Sequence, residues 1–267
     1  MVHHPFRASC RRPWRISGLV PAMLLFASAS QAQTIFQSGP EQVPLLELYT
    51  SQGCSSCPPA DQWLSQLKAD PGLWKNIVPL AFHVDYWDYI GWQDPFAQPE
   101  FGQRQRHIAE QGGARAVYTP GMMLNGKDWR GWTRGDVPQR HPGETGTLTM
   151  SLDGQQLLIH YAPAESLANN LDVYVALLGF DVKSEVTSGE NTGRELRSDF
   201  IVLKMVQAPL LRDDKTYSAS LPALQPDHPM PRLAIAAWVA DRSALAPLQA
   251  VGGWLNGPAP VARSGGL

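Results

Sequence analysis

Basic charge is scarce in this sequence. Among its 267 residues, Lys and Arg number 22 against 24 Asp and Glu, a formal net charge of −2. A chain held to nucleic acid by phosphate contacts would carry a basic excess or stripe, so this balance argues against such a partner. Cysteine is scarcer still, at three residues, too few for a small disulfide-stapled scaffold. Charged residues make up only 17%, while 43% are hydrophobic, which is too apolar for a disordered chain. A second apolar run of membrane-spanning length is also missing. The length allows one large domain or two smaller ones, each able to bury a core.

What is present begins at the N-terminus. Residues 1–32 read as a secretory signal peptide. Arg7, Arg11, Arg12 and Arg15 form a basic stretch without an acid, an apolar or small segment follows, and Ser30-Gln31-Ala32 offers small residues for cleavage. The competing reading, a membrane anchor, is opposed by Pro21 and Ser28 and by a stretch shorter than the roughly 20 residues of a span. Cleavage would remove four arginines and Cys10, leave a more acidic chain, and place it in the periplasm or outside the cell. No membrane span is expected after cleavage.

Two cysteines then remain, Cys54 and Cys57, in a compartment that favours disulfides. Residues 43–49 are a short apolar run, the signal of a buried strand. Cys54-Ser55-Ser56-Cys57 follows, and then Pro58-Pro59-Ala60-Asp61, with Trp63, Leu64 and Leu67 at helical spacing. Two prolines fit only the first turn of a helix, where backbone N–H groups have no partner. The spacing thus puts the C-x-x-C across a helix N-terminus, where free N–H groups and the dipole stabilise a thiolate. Cys54 is the expected exposed attacker and Cys57 the shielded resolving thiol. A zinc site would need a second ligand pair, which the sequence lacks; a permanent structural disulfide stays open.

Residues 77–87 read as a strand and 100–111 as a helix. Val117-Tyr118-Thr119-Pro120 leads into an apolar run and Asn125-Gly126, a hairpin turn signal. Thr119-Pro120 ahead of such a hairpin is the arrangement of thioredoxin-like folds, where a cis-proline lies against the C-x-x-C and its backbone pairs with substrate. An ordinary trans loop proline is the alternative.

The run from Glu47 to Asp61 (ELYTSQGCSSCPPAD) resembles the signature of an exported family, domain-of-unknown-function family 1223. Residues 82–96 (FHVDYWDYIGWQDPF), Gln103-Arg104-Gln105-Arg106, Val117 to Pro120 and Gly189-Glu190-Asn191-Thr192-Gly193 are similar to its pattern as well. The resemblance implies a thioredoxin-like fold and a cysteine site, with no settled activity. Residues 128–145 depart from that fold, because they lack the helical period of a closing helix.

Residues 86–96 crowd Tyr86, Trp87, Tyr89, Trp92 and Phe96 among Asp85, Asp88 and Asp94. They either line a groove beside the cysteines or pack a long loop down. His83 and Asp85, two apart, are expected on one strand face. Asp85, His83 and Trp87 are the candidates for a proton relay or groove, with Asp85 moving protons for Cys57. Metal at His83, Asp85 and Asp88, or Cu(I) on the thiolates and His83, is the weaker alternative; neither a metal nor a cofactor enters the expected site. Arg104 and Arg106 either pair with the acids of this insert or are solvated.

From Gly146 the pattern becomes alternating strands at 147–152, 156–161, 171–178, 183–187, 194–207, 216–221 and 233–239, with Asp153-Gly154 as a turn. His160 has no evident partner, and the 189–193 loop is either a tight structural turn or a part of the site. The expected organisation is therefore a signal peptide (1–32), an α/β thioredoxin-like domain with a mixed sheet and flanking helices (33–145), an antiparallel β-sandwich-like domain (146–256) and a flexible tail (257–267). The expected function is thiol–disulfide exchange through Cys54 and Cys57, with Thr119 and Pro120 holding a protein or small-molecule thiol or disulfide. The alternative is a non-catalytic envelope binding or assembly module with a permanent disulfide.

Overall fold

A computed structural model describes residues 1–3, 33–165, 167 and 170–255. The expected leader and the tail lie outside the described residues, apart from residues 1–3. In chain order the strands are β1 (Thr34–Gln37), β2 (Glu41–Gln42) and β3 (Leu45–Thr50), then helix α1 (Pro58–Gln66), β4 (Val78–His83) and helix α2 (Pro99–Glu110). There follow β5 (Gly121–Leu124), β6 (Lys127–Asp128), β7 (His141–Glu144), β8 (Gly146–Asp153), β9 (Gln156–Pro163), β10 (Leu171–Phe180), β11 (Val182–Glu185) and β12 (Glu195–Ser198). The chain ends in β13 (Ile201–Pro209), β14 (Leu211–Asp213), β15 (Thr216–Pro222), β16 (Arg232–Asp241) and β17 (Pro247–Trp254).

The expected fold class is overturned. Among the described residues, strand accounts for 45% and helix for 14%, and the strands of the two halves are not segregated. One eight-stranded sheet runs β17-β16-β10-β13-β4-β3-β5-β6. It joins the strands around the C-x-x-C to four strands that follow residue 146. The seam is narrow and parallel: Ile201 of β13 registers with Ala81 of β4, and Ala81 N–H donates to Phe200 O at 2.8 Å. A five-stranded sheet, β1-β8-β9-β15-β14, forms a second layer and takes its edge strand β1 from the first half. The protein is therefore neither a helix-flanked α/β unit nor such a unit followed by a separate sandwich. The described residues from 33 to 255 form one compact unit.

The burial pattern shows why. All ten residues of β10 are buried, as expected of a strand covered on both faces. Tyr174, Ala176, Leu178 and Phe180 join the core shared with β3, β4 and the helices. Val173 and Val175 join a second core with Leu148, Ile159 and Tyr217 of the five-stranded sheet. Asn125 and Gly126 make the β5–β6 turn with positive φ at both positions, the geometry that a two-residue hairpin demands.

Candidate functional site

β3 runs into the turn 51–53, where Cys54 N–H donates to Ser51 O at 3.1 Å. Cys57 caps α1, and Pro58 and Pro59 occupy its first turn. The N–H groups of Ala60 and Asp61 both reach Cys57 O, at 2.9 and 3.2 Å. The sulfurs of Cys54 and Cys57 lie at disulfide distance, 2.29 Å apart. Ser56 Oγ is 3.3 Å from Cys54 Sγ. The expectation of an exposed Cys54 does not hold: both cysteines have 0% exposure.

The cover is the loop 186–194 between β11 and β12. Asn191, itself fully buried, donates from Nδ2 to Gln52 O at 2.8 Å and to Cys54 O at 3.0 Å. Its Oδ1 accepts from Arg194 at 2.7 Å. Ser55 N–H donates to Glu190 Oε2 at 3.0 Å, and hydrogen bonding from the Ser55 hydroxyl and N–H holds the Glu190 carboxyl below its ordinary value. Gly189 has φ +74°, and a Cβ there would stand 3.3 Å from Trp92 Cβ, so the loop needs glycine to lie this close. The 189–193 motif is thus part of the site's wall.

Beneath the pair lies a polar floor. Tyr49 and Phe82 are register partners and stack at 5.4 Å, with Phe82 meeting Phe101 of α2. Alternation therefore turns the next partners, Thr50 and His83, to the α1 face. Thr50 Oγ1 donates to Asp61 Oδ2 at 3.0 Å. Burial pushes the Asp61 carboxyl up to about 7, against the pull of His83. His83 Nδ1 sits 2.7 Å from Asp94 Oδ2, and that oxygen also accepts from Gln52 N–H at 2.8 Å. Burial opposes a charge on His83, yet Asp94 lifts the imidazole above its ordinary value. Burial likewise opposes the charge of Asp94, which His83 and the backbone N–H groups of Gln52 and Phe96 nonetheless hold below its ordinary value. A cavity of about 240 Å³ opens beside this floor, lined by Gln52, Pro58, Asp61 and Arg194 among others.

Thr119–Pro120 is cis. Gly121 registers with Tyr49, which sets Pro120 alongside the end of β3. Trp87 Nε1 donates to Thr119 Oγ1 at 2.6 Å, and Trp87 Cβ is 3.4 Å from where a Cβ on Gly53 would stand. Trp87 thus spans from the turn before Cys54 to Thr119. Asp85 does not join His83. β4 ends at His83, so strand alternation stops there, and Asp85 Oδ1 instead stands 3.4 Å from the Cβ position of Gly102 on α2. Arg104 pairs with Glu47, not with the acids of the insert. Asp61 was missed as a site residue, while Asp94 was named only among the acids of the insert, and Glu190 and Asn191 only within the 189–193 loop. Asp61 had a readable signal, since it follows Cys57 by one helical turn; Asn191 and Glu190 stood out as a motif, but their partners lie 130 or more residues away in the chain.

Among the described residues, no three His, Cys, Asp or Glu side chains are grouped to hold a metal ion. No helix there is long and apolar enough to cross a membrane.

The family described as Protein of unknown function (DUF1223) matches residues 45–240. No curated protein matches the chain. Two solved structures resemble it. A structural-genomics protein of Agrobacterium tumefaciens is 25% identical with a TM-score of 0.56, covering 79% of this chain and 94% of its own. HBP35 of Porphyromonas gingivalis is 12% identical with a TM-score of 0.56, covering 86% of this chain and 80% of its own. The second likeness is one of fold alone.

Proposed function

The chain belongs to the DUF1223 family of unknown function, and from that premise we propose that Cys54 and Cys57 form a redox-active centre for thiol–disulfide exchange. In the reduced protein the Cys54 thiolate attacks one sulfur of a partner disulfide. The partner's S–S bond breaks, a mixed disulfide forms, and the first partner thiolate leaves and takes a proton from solvent. Cys57 then gives its proton to Asp61 and attacks the Cys54 sulfur. The second partner sulfur leaves as a thiolate and is protonated, so the partner gains two electrons and the protein is left with its disulfide. The reverse sequence reduces the protein. Because both sulfurs are buried, exchange requires the 186–194 loop to lift and the Asn191 and Glu190 bonds to release. Thr119 and Pro120 flank the path of an incoming protein or small-molecule thiol or disulfide. The leader-like N-terminus supports an oxidising periplasmic or secreted setting.

The observation that carries this reading is Asp61. Its carboxyl lies one helical turn beyond Cys57, accepts from Thr50 Oγ1, and is pushed up by burial to about 7, where a proton acceptor for a resolving thiol is useful. A second reading, a permanent disulfide in a non-catalytic envelope module, is favoured by the complete burial of both sulfurs.

Exchange with oxidised glutathione tests the proposal. Reduced protein should acquire its disulfide, and Cys57→Ser should retain a glutathione adduct on Cys54 by mass spectrometry. Failure of both would leave the permanent-disulfide reading.

A further inference from the structure

His83 has an arrangement that the exchange steps above do not use. Its ring is 1% exposed, and Nδ1 is held by Asp94 at 2.7 Å. Nε2 is buried without a hydrogen-bond partner, one of three such side-chain atoms among the described residues. A buried polar atom left unpaired costs about 1–3 kcal/mol, so its retention calls for an explanation. The other two are indole nitrogens, of Trp74 and Trp238; neither can gain or lose a proton near neutral pH.

The surroundings of His83 point in one direction. Asp94 binds the imidazole and the Gln52 N–H through the same oxygen, tying the ring to the turn that presents Cys54. Thr50, the register partner of His83, donates to Asp61, which follows Cys57 by one helical turn. The titratable groups facing His83 are Asp61 from α1 and Asp94 from the segment before α2, with Asp88 behind Asp94 through the Asp94 N–H. Asp94 fixes the ring so that a proton on Nδ1 points to a carboxylate. Any second proton must then sit on Nε2, which has no partner while the disulfide is formed.

We propose that His83, oriented by Asp94, is a positioning residue whose Nε2–H becomes the donor and counter-charge for the thiolate that appears when the Cys54–Cys57 disulfide is reduced. This rests on the exchange reading of the same site. Reduction by a dithiol transfers two electrons to the disulfide, which takes up one proton and becomes one thiol and one thiolate. The reductant leaves as a disulfide, and its second proton goes to solvent or, when His83 is neutral, to Nε2. The imidazolium therefore stabilises the reduced state over the oxidised one. The thiolate in turn raises the pH at which His83 loses its proton, and between the two midpoints reduction takes up an extra proton.

Two measurements on the whole chain decide the matter. Imidazole ¹⁵N resonances, followed against pH in the oxidised and the fully reduced protein, need no variant. The midpoint of His83 should rise by about one unit on reduction, a tenfold change in proton affinity. The second is the equilibrium with a glutathione redox buffer. His83→Asn keeps an amide donor near the Nδ1 position but has nothing at Nε2, so a merely structural role would survive it. Its equilibrium constant for reduction should fall about tenfold, or about 30 mV, and the extra pH dependence should vanish. An unchanged His83 midpoint together with an unaltered equilibrium in His83→Asn overturns the proposal. A wild-type potential below about −300 mV would remove the exchange reading itself, while the imidazole comparison would still answer this question.

Discussion

Strands β3 and β4 bury charge on both faces, and they do it in opposite ways. On the α2 face, Glu47 and Arg104 form a closed pair. Arg104 donates from Nε and a terminal nitrogen to Glu47 Oε1, at 3.0 and 2.5 Å, and Tyr49 O–H reaches the other oxygen at 3.3 Å. The guanidinium stacks 5.2 Å from the rings of Tyr174 and Trp238, and burial beside Glu47 holds the Tyr49 phenol well above its ordinary value. On the α1 face, Thr50, Asp61, His83 and Asp94 leave one nitrogen without a partner and one carboxyl poised at about 7. The closed pair clamps strands from both halves of the chain and has no capacity left. The open set has capacity left, and its Asp61 stands one helical turn beyond Cys57. Satisfied buried charge of the first kind specifies packing; unsatisfied buried charge of the second kind is found where chemistry needs it.

The difference can be broken at its strongest point first. Arg104→Met strands Glu47 in the core and should cost about 3–5 kcal/mol in urea unfolding, with the Cys54–Cys57 equilibrium unchanged in the folded fraction. A shift in that equilibrium would mean the two faces are not independent. Asn191→Ala frees Gln52 O and Cys54 O, for about 1–3 kcal/mol. It should also speed reduction by dithiothreitol severalfold, whereas equal rates would show that the loop is not what shields the sulfurs. The pH profile of stability is a separate test. Asp61 has a folded pKa of about 7 against 3.8 ordinarily. Its contribution is therefore fully present below about pH 4 and is lost as pH rises towards 7. Asp61→Asn should remove that fall, measured by denaturant midpoints from pH 4 to 8. Smallest of all, Trp87→Phe loses the bond to Thr119, about 0.5–1.5 kcal/mol, and should leave the exchange chemistry in place.

The local chemistry of the fold was readable in advance. The double proline after Cys57 placed the start of α1, and Asn125-Gly126 and Asp153-Gly154 placed two hairpin turns. The period of residues 100–111 placed α2 to within a residue. The joining of the sheet was not readable, because β4 meets β13 through long-range pairing that leaves no local period. β17 was passed over, since Gln249 and three closely spaced Ala and Gly residues blur its alternation. Residues 194–207 read as one strand, yet the chain breaks at Phe200, whose φ is +58°. In the site, the C-x-x-C could be found from spacing alone. Asp85 was read as the relay because strand alternation was carried two residues past the end of β4, and the partners of Asn191 depend on a tertiary contact that the 189–193 motif does not spell out.

The most direct test is the reduction potential of Cys54–Cys57 in the whole chain, measured against glutathione and dithiothreitol buffers. Exchange chemistry predicts a value above about −300 mV, with Cys54 more acidic than an ordinary thiol of about 8.5. A potential below about −300 mV with an ordinary thiol pKa would contradict it and make the disulfide a permanent strut.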